Sequence, residues 1–471
     1  MIFKRTVCQY NIRMYIFYDF ETSDKDFLGQ ILSYYFVLVD ENFTPIKELE
    51  GLIKPNRLEL PRVTAIKINQ LSINKCISKG KSEFDAANSI YGFIQSIVSE
   101  FGPVPLVGFN SARFDFKHFE KILLKYGLNP TFYGKISSLD IYQITKYCAL
   151  NNVKEFPFIQ KKQQETTSFS FKLEDLAKTF NCLKTPQTHD AKDDVLLTIE
   201  LTKQLEKRFS ISLKTFQKMQ HNTSPFLELN SILKEPFLPF EQSGKTPLVD
   251  YNQWLVIGKA SKSTFILLDI NAYETHPKES FSDYVKFTRY FNTRTSALIT
   301  SLHPNSNKTI YDDPYIKKIT DNALQYFKLF PVDWDIEYRP WAMGFEYINT
   351  LRQFIEKCAK NPNEYDSIID EWRQLKSITP NHQNELNFMI TLFNRYYLNH
   401  HPNPKKEHIE KYISKRYKTG EMYRNPLDFI TPETEKNTIE FYLTSTESKT
   451  KKKVLEELQT FSEEFIKDYI N

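Results

Sequence analysis

The sequence YIFYDFETSD, from Tyr15 to Asp24, places two carboxylates within an apolar and aromatic run that is typical of a buried β-strand. Residues two apart in a strand point to the same side, so Asp19 and Glu21 would present their carboxylates together. Like charges this close raise each other's pKa unless a cation lies between them. Two interpretations follow: a polar edge strand that faces water, or a site for a hard divalent cation such as Mg²⁺ or Mn²⁺.

The composition is that of an ordinary folded protein. The chain has 471 residues, 41% hydrophobic and 25% charged, so two or three domains are expected. Its net charge of +4 is too small to indicate nucleic-acid binding by itself. The five cysteines form no Cys-x-x-Cys pair, which favours a reducing compartment over a disulfide framework. No apolar run is long enough to span a membrane and no cleavage-site pattern is present, so we expect a cytoplasmic protein.

The order of the predicted elements indicates three regions. Strand-like runs such as QILSYYFVLVD (residues 30–40) alternate with helical patterns as far as a strong helix over residues 190–209, which predicts a mixed sheet covered by helices. A β-rich run, WLVIGKASKSTFILLDI (residues 254–270), follows a proline-containing segment, and the last third is helical in period. We therefore expect an α/β domain over residues 1–212, a small β-containing domain over residues 213–346 and an all-helical domain over residues 347–471.

Two further acids lie on inward faces of predicted helices. Asp115, in GFNSARFD, shares a helical face with Phe119. In HDAKDDV, helical phase turns Asp194 rather than Asp193 toward the sheet, where a carboxylate must be paired, protonated or bound to a metal. His189 precedes this helix and suits either proton transfer from water or a surface or capping role. Four acids and one histidine in this arrangement indicate two-metal phosphodiester hydrolysis.

Three segments carry a resemblance to a known family. DFET, GFNSARFD and HDAKDDV, in that order, resemble the signature motifs of the DEDDh 3′→5′ exonucleases. Within that superfamily, the chain is most similar to the bacterial exonuclease I family. The features that carry this similarity are Arg113, the form of the last motif, and the segments SFSFKLEDLAKTFN and LDIYQITKYCAL. The similarity covers residues 14–205. It implies a ribonuclease H-like exonuclease domain, an SH3-like domain and a helical domain within the three expected regions.

The resemblance also implies roles for individual residues. Asp19, Glu21 and Asp194 would be ligands of two Mg²⁺ ions, for which Mn²⁺ could substitute, and Asp115 would complete the acid set. His189 would be the general base that deprotonates the attacking water. Substrate contacts would come from Glu21, Arg113 and Lys172. Lys172 stands where the family has an arginine, so it keeps a cation but loses the planar guanidinium fork.

The family also implies that the three domains surround a groove for single-stranded DNA. Basic and aromatic residues that could line it are frequent in residues 405–424 and 287–296, although each run also suits an ordinary solvated surface. A contact with the acidic tail of single-strand DNA-binding protein and a monomeric state are further implications of the resemblance.

Three functions remain open from the sequence. The first is a metal-dependent exodeoxyribonuclease that degrades single-stranded DNA processively to nucleoside 5′-monophosphates in repair or recombination. The second is an exoribonuclease or oligonucleotide exonuclease of the same superfamily, against which the additional roughly 260 residues argue. The third is a non-catalytic nucleic-acid-binding scaffold, against which the retention of all four acids and His189 argues.

Overall fold

The computed structural model has an α/β part, a β-rich part and a helical part, in that order along the chain. The first and last parts are described almost throughout, and the middle part in separate segments. The structure describes residues 13–163, 166–182, 190–217, 231–237, 250–260, 264–275, 288–292, 301–304, 314–328, 346–423 and 426–471.

The N-terminal part is built on a mixed sheet of five strands, as the sequence predicted. These strands are β1 (Tyr15–Thr22), β2 (Ile31–Val39), β3 (Pro45–Leu52), β4 (Val104–Gly108) and β5 (Ile136–Asp140). Their order is β3-β2-β1-β4-β5, with β1, β2 and β3 antiparallel and β4 and β5 parallel to β1. Because β1 is the central strand, the interpretation of its carboxylates as the polar side of an edge strand is wrong.

Helices cover both faces of this sheet. They are α1 (Val63–Asn69), α2 (Ile73–Lys79), α3 (Glu83–Phe101), α4 (Asp115–Lys125), α5 (Ile141–Asn151), α6 (Leu173–Thr179) and α7 (Ala191–Phe209), and a hairpin of β6 (Gln160–Gln163) and β7 (Thr166–Phe169) lies between α5 and α6. Tyr18 and Phe20 of β1 pack with α3 and α4, whereas Phe17 packs with α5, α6 and α7. Asp19 and Glu21 alternate with Tyr18 and Phe20, so they lie on the face that α7 covers.

The middle part contains a second sheet of five strands. These are β8 (Ser231–Phe237), β9 (Asp250–Lys259), β10 (Thr264–Asp269), β11 (Thr288–Asn292) and β12 (Ser301–Pro304), and the accompanying helices are α8 (Ile270–Thr275) and α9 (Pro314–Lys328). The strand order is β11-β10-β9-β8-β12, and neighbouring strands are antiparallel. Leu255, Ile266 and Leu268 pack with Ile316 and Ile319 of α9 in a core of their own. The prediction of a small β-containing region is confirmed.

The C-terminal part is helical, as expected. Its helices are α10 (Glu346–Lys360), α11 (Tyr365–Ile378), α12 (Gln383–His400), α13 (Lys406–Ile413), α14 (Pro432–Ser445) and α15 (Lys449–Tyr469), and a π-helical turn, Ser414–Lys418, follows α13. No helix within the described ranges is long and apolar enough to cross a lipid bilayer.

The helical part shares its hydrophobic core with the N-terminal part. Leu351, Phe354 and Phe393 lie in the same buried cluster as Tyr18 and Phe119. A second cluster joins α14 and α15 to α1 and α2, and its buried members are Leu32, Val63, Ile66, Ile73, Cys76, Ile439, Val454, Leu455 and Leu458. The two parts are therefore continuous in packing although residues 213–345 separate them in sequence. The boundaries at residues 212 and 346 stay predictions.

Buried ion pairs cross the same interface close to the end of β1. The Arg416 guanidinium donates to the Glu59 carboxylate at 2.8 Å, and Ser23 donates to that carboxylate as well. The Arg62 guanidinium lies 3.3 Å from the carboxylate of Glu435 in the helical part. Such pairs are tolerated in a protein interior only when their geometry and additional hydrogen bonds compensate for lost hydration. They hold the segment that follows β1 against the helical part.

Candidate metal centre

The first two acids lie near the end of β1. Asp19 is paired in register with Tyr35 of β2, and Glu21 with Ser33. The register shifts between Glu21 and Thr22, so the strand is irregular just after the second acid. Both carboxylate residues are half-buried, in a strand whose other residues are nearly all buried. A rigid strand with a local irregularity therefore presents the two acids at the sheet surface.

The third acid comes from the first turn of α7. Asp190 is the N-cap residue of this helix, and its carboxylate accepts a hydrogen bond from the Lys192 amide at 3.0 Å. Asp194 lies one turn further on and is half-buried, whereas Asp193 is exposed. Val195 is buried in the core between α7 and the sheet. The helical phase predicted from the sequence is thus observed, with Asp194 facing β1.

Asp19, Glu21 and Asp194 meet in space. One carboxylate oxygen from each residue lies within 4.8 Å of the other two, and among the described residues these three form the group with metal-ligand spacing. The arrangement joins the end of the central strand to the start of α7. Residues about 175 positions apart in sequence thereby form one site.

Asp115 lies beside this triad, at the first residue of α4. Its side chain is buried, and it accepts a hydrogen bond from the backbone N–H of Phe20, which lies between Asp19 and Glu21. Burial and the nearby Asp140 and Asp194 carboxylates raise the pKa of Asp115 to about 8. The sequence correctly predicted the inward direction of this side chain.

Electrostatics make this group of acids unfavourable without a cation. Burial, followed by the charges of Asp115, Glu21 and Asp194, raises the pKa of Asp19 well above its usual range. Burial also raises the pKa of Glu21, with Asp194 the largest of the neighbouring charges, while a hydrogen bond from Asn69 lowers it. A divalent ion would offset this repulsion and favour the ionised carboxylates.

The donor set fits a hard divalent cation. All three residues of the triad offer carboxylate oxygens, which are the ligands that Mg²⁺ and Mn²⁺ prefer. Three half-buried carboxylates also leave positions open for water and for a phosphate oxygen. The residues therefore fit the metal that the exonuclease motifs imply.

Three predicted site residues, His189, Arg113 and Lys172, are not members of the triad. His189 lies outside the described residues. The backbone of Arg113 belongs to a short 3₁₀ turn, Ser111–Arg113, just before α4, and its side chain lies outside the description. Lys172 is exposed and is the N-cap residue of α6. The roles assigned to all three stay predictions.

Two residues at the site were not predicted from the sequence. Asn69 ends α1, and its side-chain amide donates to the Thr22 carbonyl at 3.1 Å. Asp140 caps α5, and its carboxylate also accepts a hydrogen bond from the backbone N–H of Asn110 at 2.8 Å. An aspartate between a strand and a helix in LDIYQI is a recognisable capping signal. No local pattern identifies Asn69, because its partner lies 47 residues away.

The basic segment at residues 405–424 is largely an internal contact. Arg416 and Tyr417 are buried, and the Tyr417 hydroxyl donates to the Leu58 carbonyl at 3.0 Å. Lys411 and Lys415 instead line a cavity of about 730 Å³ between α12 and the segment that follows it. Part of this segment thus joins the helical part to the N-terminal part, and a role of its lysines in DNA binding stays a prediction.

Comparison with known proteins gives a result at the level of structure only. No protein-family model matches the chain, and no curated protein matches it in sequence. Among solved structures, E. coli exonuclease I with a dT13 oligonucleotide is 14% identical, with a TM-score of 0.67 over 96% of this chain and 100% of that chain. The complex of the same enzyme with dA16 is also 14% identical, with a TM-score of 0.64 over the same shares.

A third similar structure is a complex of exonuclease I with an SSB C-terminal peptide. It is 13% identical, with a TM-score of 0.63 over 96% of this chain and 99% of that chain. At these identities the likeness establishes the fold, and it extends through all three parts of the molecule. The chain therefore has the fold of exonuclease I over nearly its whole length.

Proposed function

We propose that this chain is a metal-dependent 3′→5′ exodeoxyribonuclease that degrades single-stranded DNA processively to nucleoside 5′-monophosphates in DNA repair or recombination. The observation that carries the proposal is the triad of Asp19, Glu21 and Asp194 within 4.8 Å, in a chain with the exonuclease I fold. Carboxylates at this spacing suit phosphodiester hydrolysis, in which positioning and charge stabilisation supply most of the rate.

Asp19, Glu21 and Asp194 are the proposed metal ligands. Two Mg²⁺ ions, or Mn²⁺ in their place, would activate the attacking water and stabilise the leaving oxygen when bound. Asp115 lies next to the triad and would complete the acid set directly or through water. Its hydrogen bond from the Phe20 amide holds it against the strand that carries two of the ligands.

Other residues of this chain would handle the proton and the substrate. His189 precedes α7, where Asp194 lies, and an imidazole suits deprotonation of water near neutral pH. Glu21, Arg113 and Lys172 would contact the terminal nucleotide. Lys172 is exposed at the start of α6, so a phosphate could reach its ammonium group.

The proposed partners follow from the same likeness. Similar structures contain exonuclease I bound to dA16, to dT13 and to an SSB C-terminal peptide. We expect this chain to bind single-stranded DNA and the acidic tail of a single-strand DNA-binding protein. The described cysteines are all free and buried, which fits a reducing compartment such as the cytoplasm.

The direct test is digestion of a 5′-labelled single-stranded DNA oligonucleotide. With Mg²⁺ we expect stepwise shortening from the 3′ end and release of nucleoside 5′-monophosphates, and with EDTA we expect neither. An RNA oligonucleotide of the same sequence tests whether the enzyme prefers deoxyribose or ribose. Preferential digestion of RNA would contradict the proposal and indicate an exoribonuclease. If the chain bound the oligonucleotide but removed no 3′ nucleotides in the presence of metal, the non-catalytic nucleic-acid-binding scaffold would be the function that fits.

Adjacent aspartates on α7 provide a matched pair of variants. Asp194→Asn should lower the rate by more than about 100-fold, because even residues that only support metal ligands typically contribute 10-fold to 100-fold. Asp193→Asn removes the same charge from the exposed side of the same helix and should keep the wild-type rate. Equal losses of rate in the two variants would show that the activity depends on the negative charge of α7 and not on a metal ligand at residue 194.

A further inference from the structure

We propose that Asn69 is a positioning residue that holds the Glu21 carboxylate and the end of β1 in the geometry required for metal binding. This inference rests on the proposed metal-dependent function and deepens it. It assigns to α1, which supplies none of the carboxylates of the triad, a direct part in organising the site.

The side-chain amide of Asn69 is fixed at the end of β1 by two hydrogen bonds. Its Nδ2 donates to the Thr22 carbonyl at 3.1 Å, and its Oδ1 accepts from the Leu71 backbone amide at 3.0 Å. The same amide lies beside the Glu21 carboxylate and lowers its pKa. The residue is only 6% exposed, so these protein contacts hold a side chain that is largely shielded from water.

These contacts coincide with the irregularity in β1. The register between β1 and β2 shifts between Glu21 and Thr22, where a regular ladder no longer fixes the strand. Asn69 hydrogen-bonds to the Thr22 carbonyl at this shift and lies beside the Glu21 carboxylate. The amide therefore supplies, from outside the sheet, the support that the shifted ladder lacks.

The direction of Asn69 depends on how α1 ends. The next residue, Gln70, has a φ of 53°, in the left-handed region, and its N–H donates to the Ile66 carbonyl at 2.9 Å. This closes the helix immediately after Asn69 and directs the chain to Leu71. The hydrogen bond from the Leu71 amide then fixes the orientation of the Asn69 side chain.

The start of α1 is anchored by the helical part. The Glu435 carboxylate accepts a hydrogen bond from the Val63 amide and lies 3.3 Å from the Arg62 guanidinium. Further along α1, the Lys67 ammonium lies 3.6 Å from the centre of the Tyr442 ring. Helix α14 thus holds α1, and α1 holds Asn69 against Glu21.

A displaced Glu21 carboxylate would bind metal less well. Glu21 is surrounded by other carboxylates, and its repulsion from Asp194 and Asp115 favours rotation away from the triad. The Asn69 amide, which is fixed at Thr22 and favours the ionised form of Glu21, opposes that rotation. Loss of such an outer partner typically costs about 10-fold to 100-fold in metal affinity.

The test measures Mn²⁺ binding to the full chain without DNA, by isothermal titration calorimetry well below the Tm of every variant. Asn69→Ala should raise the Kd for Mn²⁺ by about 10-fold to 100-fold. Asn129→Ala is the control, because Asn129 is likewise buried and its side chain likewise accepts from a nearby backbone amide. It should leave the Kd unchanged.

A double-mutant cycle separates positioning from general damage. In a Glu21→Ala background, Asn69→Ala should change the Kd no further, because the group that it positions is gone. An equal effect of Asn69→Ala with and without Glu21, or an unchanged Kd in Asn69→Ala alone, would overturn the inference. Absence of Mn²⁺ binding in the wild-type chain is a different result, and it would overturn the proposed metal function as well.

Discussion

Asp19 and Glu21 occupy the central strand of the sheet, and their neighbours explain how the fold tolerates them. The residues that alternate with them, Tyr18 and Phe20, are buried on the opposite face and fix the strand between two layers of helices. The carboxylates therefore cannot move apart by shifting the strand. Their mutual repulsion remains in the folded state and becomes useful only when a cation binds.

Asp115 is affected by burial and by the neighbouring Asp140 and Asp194 carboxylates, and this effect can be tested through pH. Its pKa rises from an ordinary value of 3.8 to about 8, so the folded protein keeps a proton that the unfolded chain releases above about pH 4. The free energy of unfolding of the metal-free protein should therefore fall as pH rises from about 4 to about 8. Asp115→Asn, which mimics the protonated form, should reduce this slope and be more stable than wild type at pH 8.

The measurement is urea unfolding between pH 4 and pH 8 with EDTA present. Asp370→Asn, which removes a carboxylate from an exposed ion pair, is the control and should keep the wild-type slope. An unchanged slope in Asp115→Asn would show that Asp115 is ionised throughout this range in the folded protein.

At the scale of elements, local sequence patterns predicted the main strands and helices of the N-terminal part. The strand-like runs at residues 15–24 and 30–40 contain β1 and β2, and the helix expected over residues 190–209 is α7. Periodicity also selected Asp194 over Asp193, because the phase of a helix is set by its own sequence. The order of the strands in the sheet could not be predicted in this way. The sequence of β1 is compatible with an edge strand or a central strand, and its pairing with both β2 and β4 makes it central.

Asp140 connects two elements and supports an element-scale prediction. Its carboxylate caps α5 and accepts from the amides of Asn110 and Ala112, at 2.8 and 3.2 Å, in the loop that leads to Asp115. Asp140→Ala should lower the free energy of unfolding by about 1–2 kcal/mol through the lost cap. It should also lower the nuclease rate, by up to about 100-fold, because Asp115 is displaced.

Ser82→Ala isolates the capping contribution. Ser82 caps α3 and accepts from the Asp85 amide at 3.1 Å. Its removal should cost about 1 kcal/mol of stability and leave the nuclease rate unchanged. If Asp140→Ala lost stability without losing rate, the loop from Asn110 to Asp115 would hold its position without this anchor.

At the scale of the whole molecule, the helical part completes the fold of the N-terminal part. Their shared core includes residues of β1, α3 and α4 on one side and of α10 and α12 on the other. Removal of the helical part would expose this apolar surface, so we expect the two parts to unfold together.

Gly127 tests the closeness of this interface. Its φ is +68°, and a Cβ added there would lie 2.6 Å from the backbone nitrogen of Arg352 in α10. Gly127→Ala should therefore cost about 1–2 kcal/mol for the left-handed backbone and about 1–3 kcal/mol more for overpacking. Urea unfolding monitored by circular dichroism measures the sum.

Gly134 is the matched control within the same protein. Its φ is +83°, and a Cβ there would meet nothing within 4 Å. Gly134→Ala should thus show the backbone cost of about 1–2 kcal/mol alone. Equal losses in the two variants would mean that α10 can move away from Gly127 without cost.

The sequence by itself predicted the metal-dependent chemistry that we propose and the acids that would perform it, because motif composition and helical or strand period depend on neighbouring residues. The tertiary structure decided that β1 is central and that Asp19, Glu21 and Asp194 approach within 4.8 Å. It also decided that Asn69 donates to the Thr22 carbonyl next to Glu21 and that the helical part shares the core of the first sheet. These features depend on contacts between residues far apart in the chain, which no local pattern encodes.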